Sequence, residues 1–373
     1  MSALEPFTCA GGVHDGDVLL QSRADIERLR DCTRINGNLT ITTLTLEDLR
    51  GLESLTSIDK DLLIAPAPQT TSDPAARIDP RYSTKSALLR LAGLDNLERV
   101  HSLNLQGLTQ LTDVTGLARL RAIRGILRVR QCDSLRDLLG LRSLGAVAEL
   151  TVENNARLQT LLGQTLTTFP SAIWLFDNPS LEHPTGLVGA QRVERLSLKA
   201  LPALTQLTDL HGLTTALVAT IDNCGSLKDL SGLEQLTTVS VFTLRDCAKL
   251  ESLNGLTNLS KVDDGFYLND LPALQSLRGV DNLQRASRLD VSGTAALPSL
   301  EGLENVWDVS TLTLIANQAL TSLRGIEAVK GGAQLRIERN SQLPQCEIRR
   351  LATRLRVPEP EPSNGNGPEG TCE

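Results

Sequence analysis

The sequence predicts a repeat solenoid: a right-handed coil of about 13 turns of 23–24 residues, with one long parallel sheet and a short helical cap at each end. Three observations carry this reading. A set of aliphatic residues returns at a nearly fixed period. Each repeat opens with an apolar–polar alternation and continues with apolar residues at every third position. Both chain ends break the pattern.

The repeat is clearest from Phe242 to Gly265, FTLRDCAKLESLNGLTNLSKVDDG, with aliphatic Leu244, Leu250, Leu253, Leu256, Leu259 and Val262 and with Gly255 before Leu256. Equivalent starts fall at Leu39, Leu62, Leu103, Leu127, Leu150, Ile173, Leu196, Ala219, Phe242, Phe266, Leu289, Leu312 and Leu335. Most steps are 23 residues; those from Leu103 to Leu127 and from Phe242 to Phe266 are 24. A period in the twenties with leucines at these offsets is the pattern of a leucine-rich repeat, and a β-helix-like coil follows from it. Numbered from its first strand residue, a repeat has apolar residues at positions 1, 3, 9, 12, 15, 18 and 21 and glycine at position 14. Alternation over positions 1–4 predicts a strand with one buried face. The later spacing of three, broken by glycine, predicts short turns or 3-10 pieces on the return side rather than an α-helix. Such a coil cannot fold alone and must stack on its neighbours.

Composition narrows the class. Hydrophobic residues are 40% of the chain and aromatics only 2%, so the stacked core is aliphatic. A net charge of −7 and a pI near 5.3 argue against a nucleic-acid surface. No apolar run approaches the eighteen or so residues of a membrane span, so no membrane insertion by this chain is expected.

In chain order, residues 1–8 read as a tail, 9–38 as an N-terminal cap, 39–345 as the solenoid and 346–373 as a C-terminal cap with an extended tail. Val18-Leu19-Leu20 predicts a short strand. Ser22 predicts a helix N-cap, Asp25 favours that helix start, and Ile26 and Leu29 give it an apolar edge. Between Leu62 and Leu103 the chain carries an insertion, loop 65–85, in which Pro66, Pro68, Pro74 and Pro80 rule out regular structure. It reads either as a tolerated insertion or as a binding loop. From Cys346 to Val357 a short amphipathic helix is expected, with Ile348, Leu351 and Leu355 on one side. Position 6 holds Asn155, Asn178, Asn317 and Asn340, and also Cys132, Cys224 and Cys247. A buried amide there can bond backbone groups freed at the turn, coil after coil, and cysteine is a small substitute.

The segment from Cys9 to Ile41, CAGGVHDGDVLLQSRADIERLRDCTRINGNLTI, resembles the opening of receptor L domains, the ligand-binding lobes of insulin-receptor and epidermal-growth-factor-receptor ectodomains. The resemblance lies in two cysteines around a short helix, followed by a strand matched by Gly37, Asn38, Leu39 and Ile41. Asn178-Pro179-Ser180-Leu181 is similar to a turn of that family, and the coil Leu250–Leu259 is similar to bacterial secreted or surface proteins with such repeats. The chain departs from the receptors in its number of coils and in having no cysteine-rich module or kinase, so signalling is not implied. The resemblance implies a Cys9–Cys32 disulfide. A second pair, Cys346 and Cys372, flanks the other cap, and a Cys346–Cys372 bridge is expected. Paired cap cysteines fit an oxidising compartment. The start, MSALEPFTC, has no basic or apolar signal region. The reading is therefore a secreted or cell-surface protein whose export signal has been removed. Cys224 and Cys247 lie on adjacent coils, and their parallel Cβ vectors predict that both stay reduced.

No catalytic constellation is present in the sequence. His14, His101, His183 and His211 are scattered and lack metal-ligand spacing, so no cofactor or metal is expected. Asp263-Asp264-Gly265 reads as a solvated turn. A glycan-cleaving enzyme would need paired carboxylates on neighbouring strands. Position 4 offers Glu153, Asp222 and Glu338 on non-adjacent coils. The expected function is non-enzymatic binding of a protein or glycan through the outward face of the sheet, with an envelope spacer lacking a specific ligand as the alternative. Outward residues are mostly small or polar, but Arg128 and Arg130, Glu153, Trp174 and Phe176, and Lys199 fall on four consecutive strands, with Tyr267 further along. An aromatic pair flanked by arginine has the composition of a binding hot spot.

Overall fold

The computed structural model describes residues 9, 11–66, 86–163, 166–360 and 365–370. The chain carries about 13 turns of parallel β-solenoid with few helices. It divides into two compact units, Met1–Leu187 and Val188–Glu373.

The first unit has strands β1 (Val13–His14), β2 (Val18–Leu20), β3 (Arg34–Ile35), β4 (Leu39–Thr42), β5 (Ser57–Ile58) and β6 (Asp61–Ala65). Strands β7 (Arg99–Val100), β8 (Ser102–Gln106), β9 (Ala122–Arg130), β10 (Ala146–Glu153) and β11 (Ala172–Phe176) follow, and helix α1 (Arg23–Arg28) lies between β2 and β3. In the main parallel ladder Leu39, Leu62, Leu103, Leu127, Leu150 and Ile173 share one register. A second ladder of two-residue strands, β1, β3, β5 and β7, runs beside it and joins it at β9. Ile123 of β9 pairs with Val100, 23 residues back, whereas Leu127 pairs with Leu103, 24 back. The longer step is therefore a β-bulge at Arg124–Gly125–Ile126.

The second unit is one parallel ladder: β12 (Arg192–Lys199), β13 (Thr215–Asp222), β14 (Thr238–Arg245), β15 (Lys261–Asn269), β16 (Arg285–Ser292), β17 (Thr311–Ile315) and β18 (Gln334–Glu338), followed by helix α2 (Gln345–Leu355). Its 24-residue step is again a bulge, since Val239 pairs with Val262 but Val241 with Gly265. The extra residue lies at Asp263–Asp264. Lys261 Nζ is 2.8 Å from an Asp263 oxygen, and Arg288 donates to Asp264 at 3.1 Å. This segment is a charged, paired bulge within a strand, not the solvated turn read from the sequence.

Residues at the apolar repeat positions form the core. Leu244, Leu250, Leu253, Leu256, Leu259 and Val262 are all fully buried. Phe242 and Phe266, stacked at 5.5 Å between ring centroids, are its largest members. Among the described residues the only α-helices are those at the two caps, and the return side uses 3-10 turns such as Thr115–Leu117 and Thr208–Leu210.

From β8 onward the strands of the main ladder end at the same corner. Position 5 is left-handed, with φ of 51–60°, at Gln131, Asn154, Asp177, Ala200, Asn223, Asp246, Asp270, Ala316 and Arg339. Asn and Asp tolerate that conformation best among residues with a side chain, which accounts for five of the nine. Position 6 then turns inward. Asn155 Nδ2 donates to the carbonyls of Val129 and Glu153, and its Oδ1 accepts the Cys132 amide at 3.0 Å. Asn155's own amide donates to Asn178 Oδ1 at 3.1 Å. In the second unit the chain of bonds runs Thr294, Asn317, Asn340 and then Asn366, which extends it past the last strand.

The caps close the open faces. Ser22 Oγ accepts from the Asp25 amide, and Asp25 Oδ2 accepts from Gln21 N at 3.0 Å, a reciprocal cap on α1. Ile26 and Leu29 are buried beneath it. At the other end α2 buries Ile348, Leu351 and Leu355. Ala65 closes β6 and is buried, as is Pro66, so the insertion begins later than the sequence suggested; residues 67–85 lie outside the described residues.

Position 14 tests this packing. Gly255 has a φ of 108°, and a Cβ there would lie 1.9 Å from the Leu230 carbonyl oxygen of the preceding coil. Gly255→Ala is expected to destabilise the protein by more than about 2 kcal/mol in urea unfolding. Gly225 has open space around its Cα. Gly225→Ala is expected to be neutral or stabilising by under about 1 kcal/mol. Equal effects would contradict the packing described.

Candidate functional site

The outward columns of the main ladder are positions 2 and 4, because side chains alternate along a strand. In the first unit Asn104, Arg128, Thr151 and Trp174 share one column, and Gln106, Arg130, Glu153 and Phe176 share the next. The structure therefore brings Arg128, Arg130, Glu153, Trp174 and Phe176 onto one face. Trp174 and Phe176 pack edge to face, 5.6 Å between centroids and 72° between planes, and both are half-buried. That is the preferred aromatic geometry.

The arginines differ from each other. Arg128 is half-buried, whereas Arg130 is only 7% exposed and lies 3.3 Å from Glu153 Oε1. The contact is an ion pair, for Arg130 Nε lacks hydrogen-bond geometry with any partner among the described residues. Gln106, next in the column, is buried too, and its amide nitrogen has no hydrogen-bond partner among the described residues. Long side chains stacked about 4.8 Å apart cover one another, so position 4 is shielded while position 2 is more open. Arg130 thus supports the face from within rather than standing exposed on it.

Lys199 and Tyr267 belong to the second unit, in two separate clusters. Lys199 Nζ lies 3.8 Å from Asp222, which also accepts two bonds from Arg245, at 2.7 and 3.3 Å. The Asp222 carboxylate raises the Arg245 guanidinium above its ordinary pKa. Tyr267 folds its ring over Gly265, where a Cβ would sit 2.2 Å from Cε2, and with Asp264 it raises the Arg288 guanidinium above its ordinary pKa. The sequence flagged Asp222 only as a lone position-4 carboxylate. Its arginine partner, 23 residues on, is visible only once the register is known.

Cysteines at position 6 mimic the asparagines. Cys132 Sγ donates to the Leu105 and Arg130 carbonyls at 3.7 and 3.5 Å, the counterparts of those that Asn155 bonds. Burial pushes the Cys132 thiol up to about 12. Cys224 is raised as well, first by its hydrogen bond with Cys247 and then by burial. Both members of that pair are free thiols. Cys9 and Cys32 are disulfide-bonded, with their Cα atoms 5.5 Å apart. Cys346 is also disulfide-bonded, while Cys372 lies outside the described residues. Among the described residues no group of His, Cys, Asp and Glu could hold a metal ion, and no helix is long and apolar enough to cross a membrane.

A scan against protein-family models finds no match, and no curated protein matches the chain. Among solved structures the chain is similar to a leucine-rich-repeat protein of Leptospira interrogans, at 14% identity and a TM-score of 0.25, over 90% of this chain and 91% of that one. A likeness at that level carries no argument, and the fold rests on the strand ladders themselves.

Thiol chemistry checks the cysteine assignment. The native protein is expected to react with no equivalent of a thiol reagent, and the unfolded, unreduced protein with three of its seven cysteines. Five would mean that Cys346 is not bridged. Rapid reaction of the native protein at Cys132 would contradict its burial.

Proposed function

We propose that the chain is a non-enzymatic, receptor-L-domain-like binding module, secreted or displayed at the cell surface, that recognises a protein or glycan through the sheet face of its first unit. The observation that carries this reading is the Trp174–Phe176 edge-to-face pair, held half-exposed in the same outward columns as Arg128, on a sheet whose other outward residues are mostly small or polar. Amphipathic aromatics and arginine anchor interfaces because they bring large contact area at low entropic cost. The rigid ladder beneath, with the Arg130–Glu153 pair fixed in it, presents that surface preorganised. The Cys9–Cys32 bridge around α1 supports an oxidising compartment and the L-domain-like reading of the first cap.

Trp307, the second tryptophan, is 40% exposed, but Lys330 Nζ sits 4.2 Å above its ring. A cation–π partner already occupies that face. Trp174 is therefore the better anchor.

The experiment is a glycan array and a surface-protein binding screen with the full chain, repeated with Trp174→Ala/Phe176→Ala. A hit should weaken more than tenfold in the double variant, about 1.4 kcal/mol, with circular dichroism unchanged. Unchanged affinity in a folded double variant would move the site off this face. Absence of any ligand in both screens would favour a spacer.

A further inference from the structure

In the first unit the short-strand ladder carries a cluster that the sheet face does not include. The residues preceding its buried aliphatics form one column: Arg34, Ser57, Arg99 and Ala122 are in register. Successive rungs are about 4.8 Å apart, which puts Arg34 and Arg99 roughly 10 Å apart along the column. Small Ser57 and Ala122 alternate with them. Two residues further along each strand come Asp59, His101 and Arg124. These side chains line a cavity of about 280 Å³.

Three features set this cavity apart from an ordinary charged surface. The first is charge balance. Arg34 is paired with Asp59 at 2.6 Å, but among the described residues neither Arg99 nor Arg124 has an ion-pair or hydrogen-bond partner for its side chain. In the second unit, Lys261 and Arg285, which likewise precede buried aliphatics, have carboxylate partners, Asp263 at 2.8 Å and Asp308 at 3.1 Å, whereas Arg192 in the same column has none among the described residues. The second is the β9 bulge. The extra residue falls at Arg124–Gly125–Ile126 on the cavity wall, and the Gly125 amide donates to the His101 carbonyl at 2.7 Å. A Cβ at Gly125 would lie 2.5 Å from Ser102 Oγ and 3.1 Å from His101 Nε2, so glycine leaves the space that His101 occupies. Bulges of this kind re-aim side chains beside functional sites. The third is topology: the cavity sits where the short-strand ladder joins the main one, at β9.

We propose that this cavity binds an acidic saccharide, its sulfate or carboxylate held by Arg99 and Arg124. Guanidinium groups recognise such anions bidentately. Ser57 and the Asp59 carboxylate supply hydroxyl and acceptor groups for sugar hydroxyls. A nucleic acid fits less well: no Phe, Tyr or Trp lines the cavity for base stacking, and the chain's net charge is −7. An acidic peptide also fits less well, because the aliphatic lining residues Ile58 and Val100 are buried and offer no apolar pocket. The proposal does not depend on the Trp174–Phe176 face.

Calorimetric titration of the full chain with a sulfated oligosaccharide, a uronate oligosaccharide, a neutral oligosaccharide of equal length and a DNA oligonucleotide tests it. At least one acidic saccharide should bind, more weakly as salt rises, and the neutral one should not. Arg99→Ala/Arg124→Ala should lower that affinity at least tenfold with an unchanged Tm. Arg285→Ala, which removes a paired arginine of the second unit, and Trp174→Ala/Phe176→Ala should leave it unaltered. Failure of both acidic saccharides to bind, tighter binding of DNA, equal binding of the neutral oligosaccharide, or full affinity in the folded double arginine variant would each overturn the proposal.

Discussion

A hydrogen-bonding constraint at one corner governs much of this chain. A coil that turns inward at the end of its strand frees backbone amides and carbonyls with no water to satisfy them. Buried polar groups left unpaired cost about 1–3 kcal/mol each. At position 6 an asparagine answers on both sides: its amide nitrogen takes carbonyls of its own and the preceding coil, and its oxygen takes the preceding coil's amide. Where asparagine stands at position 6, the bond therefore crosses between coils and ties that turn to the one before. The left-handed residue at position 5 aims the chain into this arrangement, and glycine at position 14 lets the return side approach the next backbone. Core leucines supply the bulk driving force.

A corner this regular fixes where every outward side chain points, so surface chemistry can vary without disturbing the fold. The same column that holds small threonines elsewhere holds Trp174 and Arg128 in the first unit. Position 4 carries an ion pair in one unit and a three-charge cluster around Asp222 in the other. The two bulges break the pattern locally, and both occur where charges collect: Arg124 beside His101, and Asp263 and Asp264 opposite Lys261 and Arg288.

Much of this was legible in the sequence. The coil period, the inward positions, the N-cap at Ser22, the helix after Pro344 and the buried role of position 6 follow from leucine spacing and from short polar residues at fixed offsets. The Trp174–Phe176 pair was visible because strand alternation assigns its face. Less legible were features set by register between distant segments. Arg34, Arg99 and Arg124 are spread over ninety residues; the first two lie on two-residue strands too short to show a period, and Arg124 joins them only through the register of β9. The burial of Arg130 depends on its neighbours Gln106 and Glu153, which alternation alone places outside. Left-handed residues at position 5 could have been suspected from Asn154, Asp177, Asn223, Asp246 and Asp270, but Gln131, Ala200 and Arg339 obscure the signal.

The corner can be tested without perturbing shape, because leucine already occupies position 6, fully buried, at Leu108, Leu201 and Leu271. Native-state hydrogen exchange of the Thr294 amide, which donates to Asn317 Oδ1 at 3.1 Å, is the direct measurement. In Asn317→Leu that amide should lose at least tenfold in protection, with the amides of neighbouring β16 and β17 following. Unchanged protection at Thr294 in the folded variant would contradict the claim that the side-chain ladder ties the coils together.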